Sequence, residues 1–311
     1  MSNINTKNRL LKSKFIKSLP LTVLVLPSLI YLIVFKYFPM FGLILPFKNM
    51  SSISSGFFSS EWCGFENFKF VFAGSEAFIA LRNTVLYNIA FIVLHIVVGV
   101  SIALMLYELS ARSVKLYQTT IFLPYFISWV VGAFVVMAFL NTDYGVINQI
   151  LKIFGREKIS WYSDTKYWPW IIVIINVWKG MGYNIVLYYA ALVGINPEYF
   201  EAATLDGASK LQQIRYVSIP MIKKTIVVLF ILNVGKIMYA DFGLFYNVPL
   251  NISMLRPTTD VLDTYVYRTL MQVGDVGMSA AAAFFQSFVG FFLVVLTNLV
   301  VKKIDEESSL F

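Results

Sequence analysis

Three of the charged side chains inside otherwise apolar stretches of the sequence stand out: Lys179, Lys236 and Asp241. A charge at membrane depth is costly, so such a residue usually faces a cavity or pairs with an opposite charge. Lys236 and Asp241 are five residues apart, which is an imperfect spacing for an ion pair on one helix. Lys179 could instead pair with a residue of another chain. Two interpretations therefore remain open, a structural ion pair and the lining of a polar path through a membrane.

Residues for other kinds of chemistry are few. The chain has one cysteine, Cys63, and one histidine, His95, which excludes a disulfide framework and makes a Cys/His metal site implausible. The nearest approach to a phosphate-binding loop, Gly235-Lys236, lacks the following Ser or Thr. His95 lies in an apolar run, so we expect it to make a hydrogen bond between helices. A membrane-embedded enzyme is disfavoured, because these residues form no recognisable catalytic constellation.

The composition is that of an integral membrane protein. Of the 311 residues, 58% are hydrophobic and 14% are charged, and the mean hydropathy is +0.72. Soluble domains carry about 25% charged residues. Apolar runs of about 20 residues indicate spanning helices rather than the strands of a barrel. We predict an all-α membrane protein with a segment at 1–18, six transmembrane helices at about 19–38, 84–106, 119–140, 167–192, 221–245 and 280–301, and a tail at 302–311.

The distribution of Lys and Arg orients these spans. If the N-terminus lies inside, the inner segments carry 13 Lys and Arg residues against 7 acids, and the outer segments carry 9 of each. An excess of Lys and Arg on short loops marks the cytoplasmic side. We therefore predict that both ends of the chain are cytoplasmic. The net charge of +8 is then a topology signal, so nucleic acid is not an expected partner.

A short polar island, Glu201–Pro220, separates the fourth and fifth apolar runs. Asn196 can cap a helix that starts just before it, and Glu198 complements the positive end of that helix. Gly207 permits a bend, and Pro220 is expected to close the segment before the next span. With the predicted orientation, this island faces the cytoplasm.

The island resembles the EAA loop of ABC-importer permeases. The matching residues are Glu201-Ala202-Ala203, then Gly207 after three residues, then Val217-Ser218-Ile219-Pro220 after nine more. The departures, Val217 for Ile and Ile219 for Leu, conserve size and polarity. In this family the loop is a pair of coupling helices that docks into a groove on the ATPase subunit. The resemblance assigns ATPase coupling to Glu201, Ala202, Ala203, Asp206, Gly207, Lys210 and Pro220.

Further blocks resemble the carbohydrate branch of these permeases, and within it the LplB-like subgroup for oligosaccharides derived from complex polysaccharides. They lie at 38–42, 64–68, 82–84, 123–131, 145–148, 195–198 and 263–268. The resemblance implies an ABC transporter type-1 transmembrane domain at 19–301 in the bacterial cytoplasmic membrane, working by alternating access. It also implies a second permease subunit, usually in a heterodimer, two copies of an ATPase that bind the ATP and Mg²⁺, and an extracytoplasmic solute-binding protein. No cofactor is expected in this chain.

Sugar sites need aromatic faces and polar groups for hydroxyls, and the fourth and fifth spans hold both. The residues that we expect to line a substrate path are Trp178, Lys179, Tyr183, Asn184, Asn233, Lys236, Tyr239 and Asp241. Two lysines among them suggest an anionic saccharide, such as a uronate-containing oligosaccharide. The alternatives are an ABC permease for a non-sugar substrate, such as a peptide or antibiotic, and a secondary transporter, for which Asp241 is the only acidic group at membrane depth.

Overall fold

The computed structural model describes residues 20, 22–50, 56, 59–69, 74–306 and 309–310, so the segment predicted at 1–18 lies outside the described residues. These residues are almost entirely helical, and an isolated bridge joins Lys48 and Trp62. The helices are α1 (Thr22–Phe47), α2 (Ser75–Tyr107), α3 (Ala111–Phe122), α4 (Trp129–Leu140), α5 (Val146–Ile153), α6 (Trp168–Val193), α7 (Glu198–Leu205), α8 (Lys210–Val234), α9 (Phe242–Asn247), α10 (Arg256–Thr259), α11 (Leu262–Arg268) and α12 (Val276–Ile304). Short 3-10 turns lie at Glu66–Phe68, Leu123–Phe126, Trp161–Ser163, Thr165–Tyr167 and Ser253–Leu255.

Within the described part of the chain, five helices are long and apolar enough to cross a membrane: α1, α2, α6, α8 and α12. A sixth crossing exists if α3 and α4 are taken as one bent span. The predicted all-α architecture is confirmed. Helix α6 agrees with the predicted fourth span to within one residue, whereas α2 begins nine residues before the predicted second span.

The third span, predicted as one helix over 119–140, is broken. The chain passes through a 3-10 turn, Leu123–Phe126, and the two sides meet at a bend of 101°. Pro124 lies in this turn and lacks an N–H for a helix ladder. Ile127 and Ser128 are extended, and the Ser128 hydroxyl accepts a hydrogen bond from Val131 N at 3.3 Å, so Ser128 caps a new helix.

The fifth span, predicted over 221–245, is displaced toward the polar island. Helix α8 already begins at Lys210 and ends at Val234. Pro220 does not close the island, because a π-helical turn at Ile214–Ser218 precedes it and the helix continues through it. Pro220 stands at the start of the α-helical part, where a missing N–H costs little.

Beyond Val234, residues 235–241 are not helical, and side chains from three helices satisfy their backbone. Asn88 of α2 donates to two carbonyl oxygens of this stretch at 2.9 and 3.0 Å. Gln286 of α12 donates to a third at 2.8 Å, and Asp263 of α11 accepts from Ala240 N at 2.7 Å. Burial raises the pKa of the Asp263 carboxyl, although Ala240 N and Gln286 Nε2 both donate hydrogen bonds to it. Non-helical backbone in a membrane protein is tolerated where it is buried against such partners or lines a water-filled cavity.

The contact between α2 and α6 forms the centre of the bundle. Gly180 leaves room for His95, since a Cβ atom there would lie 2.6 Å from His95 Cε1. His95 Nδ1 and Asn184 Nδ2 are 3.0 Å apart, which confirms the predicted hydrogen bond between helices. One helical turn further along α6, Tyr188 packs against Gly99. Small residues thus let the two backbones approach closely.

A buried ion pair holds the segment between α8 and α12 together, and two hydrogen bonds fasten this segment to α2. Arg268 Nη1 donates to Asp260 Oδ1 at 2.8 Å, and the second guanidinium nitrogen contacts the other carboxylate oxygen. Asn83 donates to the Asp260 backbone oxygen at 2.9 Å, and Thr84 Oγ1 accepts from Leu262 N at 2.9 Å. A bidentate pair between a guanidinium and a carboxylate fixes the orientation of the two side chains as well as their distance.

We predict that Gln286→Leu lowers the free energy of unfolding by about 1–3 kcal/mol, because it leaves buried polar groups of the 235–241 stretch without a partner. Thermal unfolding of the purified protein in detergent measures this loss. Asn233→Leu is the matched control, since Asn233 donates, within the part of the chain that the structure describes, only to Leu229 O of its own helix. Equal unfolding temperatures for the two variants would contradict the role given to Gln286.

Candidate functional site

The polar island forms two helical arms joined by a tight turn, which we name the coupling segment (198–213). Glu198 N donates to Asn196 Oδ1 at 3.1 Å, so Asn196 caps the first arm as predicted. Gly207 has a φ of +78°, a left-handed conformation that disfavours side chains. Gln213 Nε2 donates to Thr204 Oγ1 at 2.9 Å and holds the arms together.

The tip of the coupling segment presents apolar side chains to the outside. Leu205 is 89% exposed and Leu211 is 78% exposed. An unburied leucine on each side of a rigid turn is suited to a groove on another protein. The sequence analysis did not single out either residue, although both lie inside the quoted motif.

The predicted coupling residues surround this tip, with one exception. Glu201, Ala202, Asp206, Gly207 and Lys210 are exposed, and Ala203 is half-buried. Pro220 lies away from the tip, ten residues further along α8.

Two connections join the coupling segment to the bundle. Helix α6 leads into it through residues 194–197, and Lys210 Nζ lies 2.8 Å from Glu108 Oε2, just beyond the end of α2. The rings of Tyr107 and Phe200 are 5.5 Å apart beside this ion pair. A cavity of about 610 Å³ lies between the end of α2 and the coupling segment, and Glu201 is among the residues that line it. The coupling segment therefore contacts α2 as well as the helices that precede and follow it.

A second cluster forms at the bend of the third span. Lys179 Nζ donates to Tyr125 O at 3.1 Å and stands 4.9 Å from the ring centroid of Trp129. Trp129 Nε1 donates to the carboxylate of Asp241, which also caps α9. Tyr183 stacks on Tyr125, with ring centroids 5.8 Å apart. One ammonium group, one carboxylate and three aromatic rings thus meet where α6, the bend and the 235–241 stretch converge.

This cluster contains three residues of the predicted substrate path, Lys179, Tyr183 and Asp241. Tyr125 and Trp129 were missed as site residues, although both lie in the 123–131 block. The sequence did hold a local indication of these two residues, because Tyr125 directly follows Pro124 and Trp129 directly follows Ser128, at the break of the span.

The other predicted path residues lie elsewhere. Trp178 lines an apolar cavity of about 430 Å³ between α4 and α6, and Asn184 is buried against His95. Asn233 bonds to its own helix, and Tyr239 Oη lies 2.6 Å from Ser287 Oγ. Lys236 is exposed, and among the described residues no ion pair joins it to Asp241. Both residues stand in the non-helical stretch beyond α8 rather than in a spanning helix. The described residues also contain no group of His, Cys, Asp and Glu side chains fit to hold a metal ion.

Comparison with known proteins gives consistent matches over most of the chain. Residues 77–306 match the family described as "Binding-protein-dependent transport system inner membrane component". The chain is 35% identical to "Protein LplB" of Bacillus subtilis (strain 168) over 93% of this chain and 90% of that protein. It is 33% identical to "Polygalacturonan/rhamnogalacturonan transport system permease protein YteP" of the same organism, over 97% and 94%.

A solved structure matches as well. It is described as "Crystal structure of a bacterial ABC transporter involved in the import of the acidic polysaccharide alginate". The TM-score is 0.86 at 29% identity, covering 95% of this chain and 99% of that chain. These findings confirm the predicted resemblance to carbohydrate permeases of the LplB-like subgroup.

We predict that Glu108→Lys speeds backbone hydrogen exchange in the coupling segment about two- to fivefold, because it replaces an exposed attraction of up to about 1 kcal/mol by a repulsion. Exchange measured by mass spectrometry checks this. The double variant Glu108→Lys with Lys210→Glu restores the pair and the slower exchange. Glu157→Lys, which changes an exposed acid elsewhere, serves as the control; a similar effect there would exclude a specific contact.

Proposed function

This chain belongs to the family of binding-protein-dependent transport system inner membrane components, and we propose that it is the permease subunit of an ABC importer for acidic oligosaccharides. It is a bacterial multi-pass membrane protein. The observation that carries the proposal is the coupling segment, a rigid turn with an exposed apolar tip at the spacing of the EAA loop.

The coupling segment is assigned to the contact with a cytoplasmic ATPase. Leu205 and Leu211 enter a groove on that subunit, and ATP and Mg²⁺ are bound there rather than in this chain. Both chain ends then lie on the cytoplasmic side, and the loaded solute-binding protein docks at the opposite end. The chain pairs with a second permease subunit, in a heterodimer served by two ATPase copies. Displacement of the tip moves α6 and α8 directly and α2 through the Lys210–Glu108 pair.

The cluster at the bend is assigned to the substrate path. The Lys179 ammonium attracts a uronate carboxylate, and the rings of Tyr125, Trp129 and Tyr183 offer faces for sugar C–H groups. Two similar proteins support an acidic saccharide, since one is named for polygalacturonan and rhamnogalacturonan transport and the other is involved in the import of the acidic polysaccharide alginate. Lys236, exposed beyond the end of α8, adds a second positive charge on the same stretch as Asp241.

We expect Gly207→Ala to reduce substrate-stimulated ATP hydrolysis about tenfold, because a Cβ atom at this positive φ costs roughly 1–2 kcal/mol and displaces the tip. The measurement uses the reconstituted complex with binding protein loaded by uronate oligosaccharides, and Glu201→Gln is assayed beside it. Gly155→Ala is the matched control, as Gly155 has a φ of +66° and equally open surroundings.

The outcomes of this assay separate the alternatives. Stimulated hydrolysis that survives Gly207→Ala and Glu201→Gln would remove the coupling role. Stimulation by a peptide but by no saccharide would favour a non-sugar permease. Uptake driven by an ion gradient without ATP would identify a secondary transporter.

We further expect Lys179→Met to lower uptake of uronate oligosaccharides about tenfold while uptake of a neutral oligosaccharide stays near the wild-type rate, since one charge-assisted contact is lost. Transport into proteoliposomes with labelled saccharides measures both rates. Lys166→Met removes an exposed lysine at the start of the same membrane crossing and is the control. An equal loss of uptake for both saccharides would show that Lys179 supports the fold rather than binding the uronate carboxylate.

A further inference from the structure

A groove of about 350 Å³ lies between α2, α6 and α10, at the end of the bundle opposite to the coupling segment. Leu86, Ala90 and Val173 give it an apolar lining, and Arg82 and Trp170 line it as well. The groove is separate from the cluster around Lys179, with which it shares no lining residue.

Two observations place the mouth of this groove at a membrane boundary. Arg82 is the last charged residue of α2 before 25 residues, 83–107, that contain no Asp, Glu, Lys or Arg. These residues span about 37 Å as a helix, enough to cross a hydrocarbon core of about 30 Å. Trp170 is 72% exposed at the start of α6, where tryptophan is enriched at the interface between lipid and water.

Below Arg82, α2 carries a stripe of apolar side chains that other described residues leave uncovered. Leu86, Ile89, Val93 and Val97 are each about half exposed. The stripe runs for about 16 Å along the helix, close to the depth of one leaflet. An acyl chain lying along it would be covered by the same leaflet that surrounds the helix.

The Arg82 side chain is held in place without being neutralised. Its Nε and Nη2 donate to Asn83 Oδ1 at 3.2 and 2.9 Å, and Nη2 also donates to Pro257 O at 3.1 Å. No carboxylate pairs with it among the described residues, so its charge remains available at the mouth. Among the described residues, these contacts leave the two N–H groups of Nη1 to donate to the free oxygens of a phosphodiester.

We propose that this groove binds an anionic phospholipid of the outer leaflet, with its phosphate on Arg82 and one acyl chain along the stripe from Leu86 to Val97. The leaflet assignment rests on the orientation given under the proposed function, whereas the lipid site itself needs neither sugar nor ATP. The competing occupant is a helix of the second permease subunit, which would meet the same apolar stripe but would leave the Arg82 charge facing protein.

The test is native mass spectrometry of the assembled importer, released from bilayers that contain phosphatidylglycerol and phosphatidylcholine. Arg82→Gln is expected to lower the retained phosphatidylglycerol about tenfold. Leu86→Trp, which fills the groove but leaves the hydrogen bonds of Arg82 intact, gives the same loss and guards against misfolding of the first variant. Arg112→Gln, on the other side of the membrane, retains the wild-type amount.

Two results would overturn the proposal. The first is phosphatidylglycerol retained equally by wild type, Arg82→Gln and Leu86→Trp. The second is a disulfide in native membranes between the cysteine of a Leu86→Cys variant and a cysteine placed in turn at positions of the second permease subunit. Such a bond would assign the stripe to that subunit. Because the readout is lipid retention, an importer with a different substrate would still bind the lipid, so this test fails or succeeds independently of the transport assay.

Discussion

Residues 235–241 leave the helical ladder inside the bundle, so their backbone needs other hydrogen-bond partners, and this requirement organises the bundle. Each unpaired carbonyl or N–H group in such surroundings costs several kcal/mol. Asn88, Asp263 and Gln286 meet the requirement, and they come from α2, α11 and α12. The three helices must therefore converge on one short stretch of chain, and this convergence fixes the end of α8, the start of α9 and the place of Asp241.

Helix α6 connects the two candidate sites physically. Lys179 and Tyr183 lie near its middle, and its last residue, Val193, is five residues from the start of the coupling segment. Gly180 and Gly182 keep this helix in close contact with α2 and with the end of α3, since a Cβ atom at either would collide with a neighbour. Because the packing is tight, a displacement of one end of α6 is transmitted as movement of a stiff body rather than absorbed by side chains.

Local patterns in the sequence were sufficient for the helical class, for α6 and for the coupling segment, because capping by Asn196, the bend at Gly207 and an apolar run depend on neighbours in sequence. They were insufficient for the interrupted spans. Gly235, directly after Val234, is a residue often found where a helix ends, but the side chains that replace the helical ladder beyond it are more than 20 positions away in sequence. Pro124 was visible in the sequence, but the contacts of Tyr125 and Trp129 beside the bend are with residues distant in sequence. The predicted path residues do not all lie at one site, because Asn184 and Trp178 face other directions on α6 than Lys179 does.

The anchoring of the Asp260 segment on α2 also has a temporal side. Asn83 and the Asp260 carbonyl that it contacts are 177 residues apart. At synthesis rates of about 5–20 residues per second, the partner of Asn83 emerges about 10–35 s after Asn83 itself. During that interval Asn83 and Thr84 of α2 have not yet met Asp260 and Leu262, their partners in the finished structure. The closing of this end of the bundle is thus a late event in the biogenesis of the protein, and it takes place only after nearly the whole chain has been made.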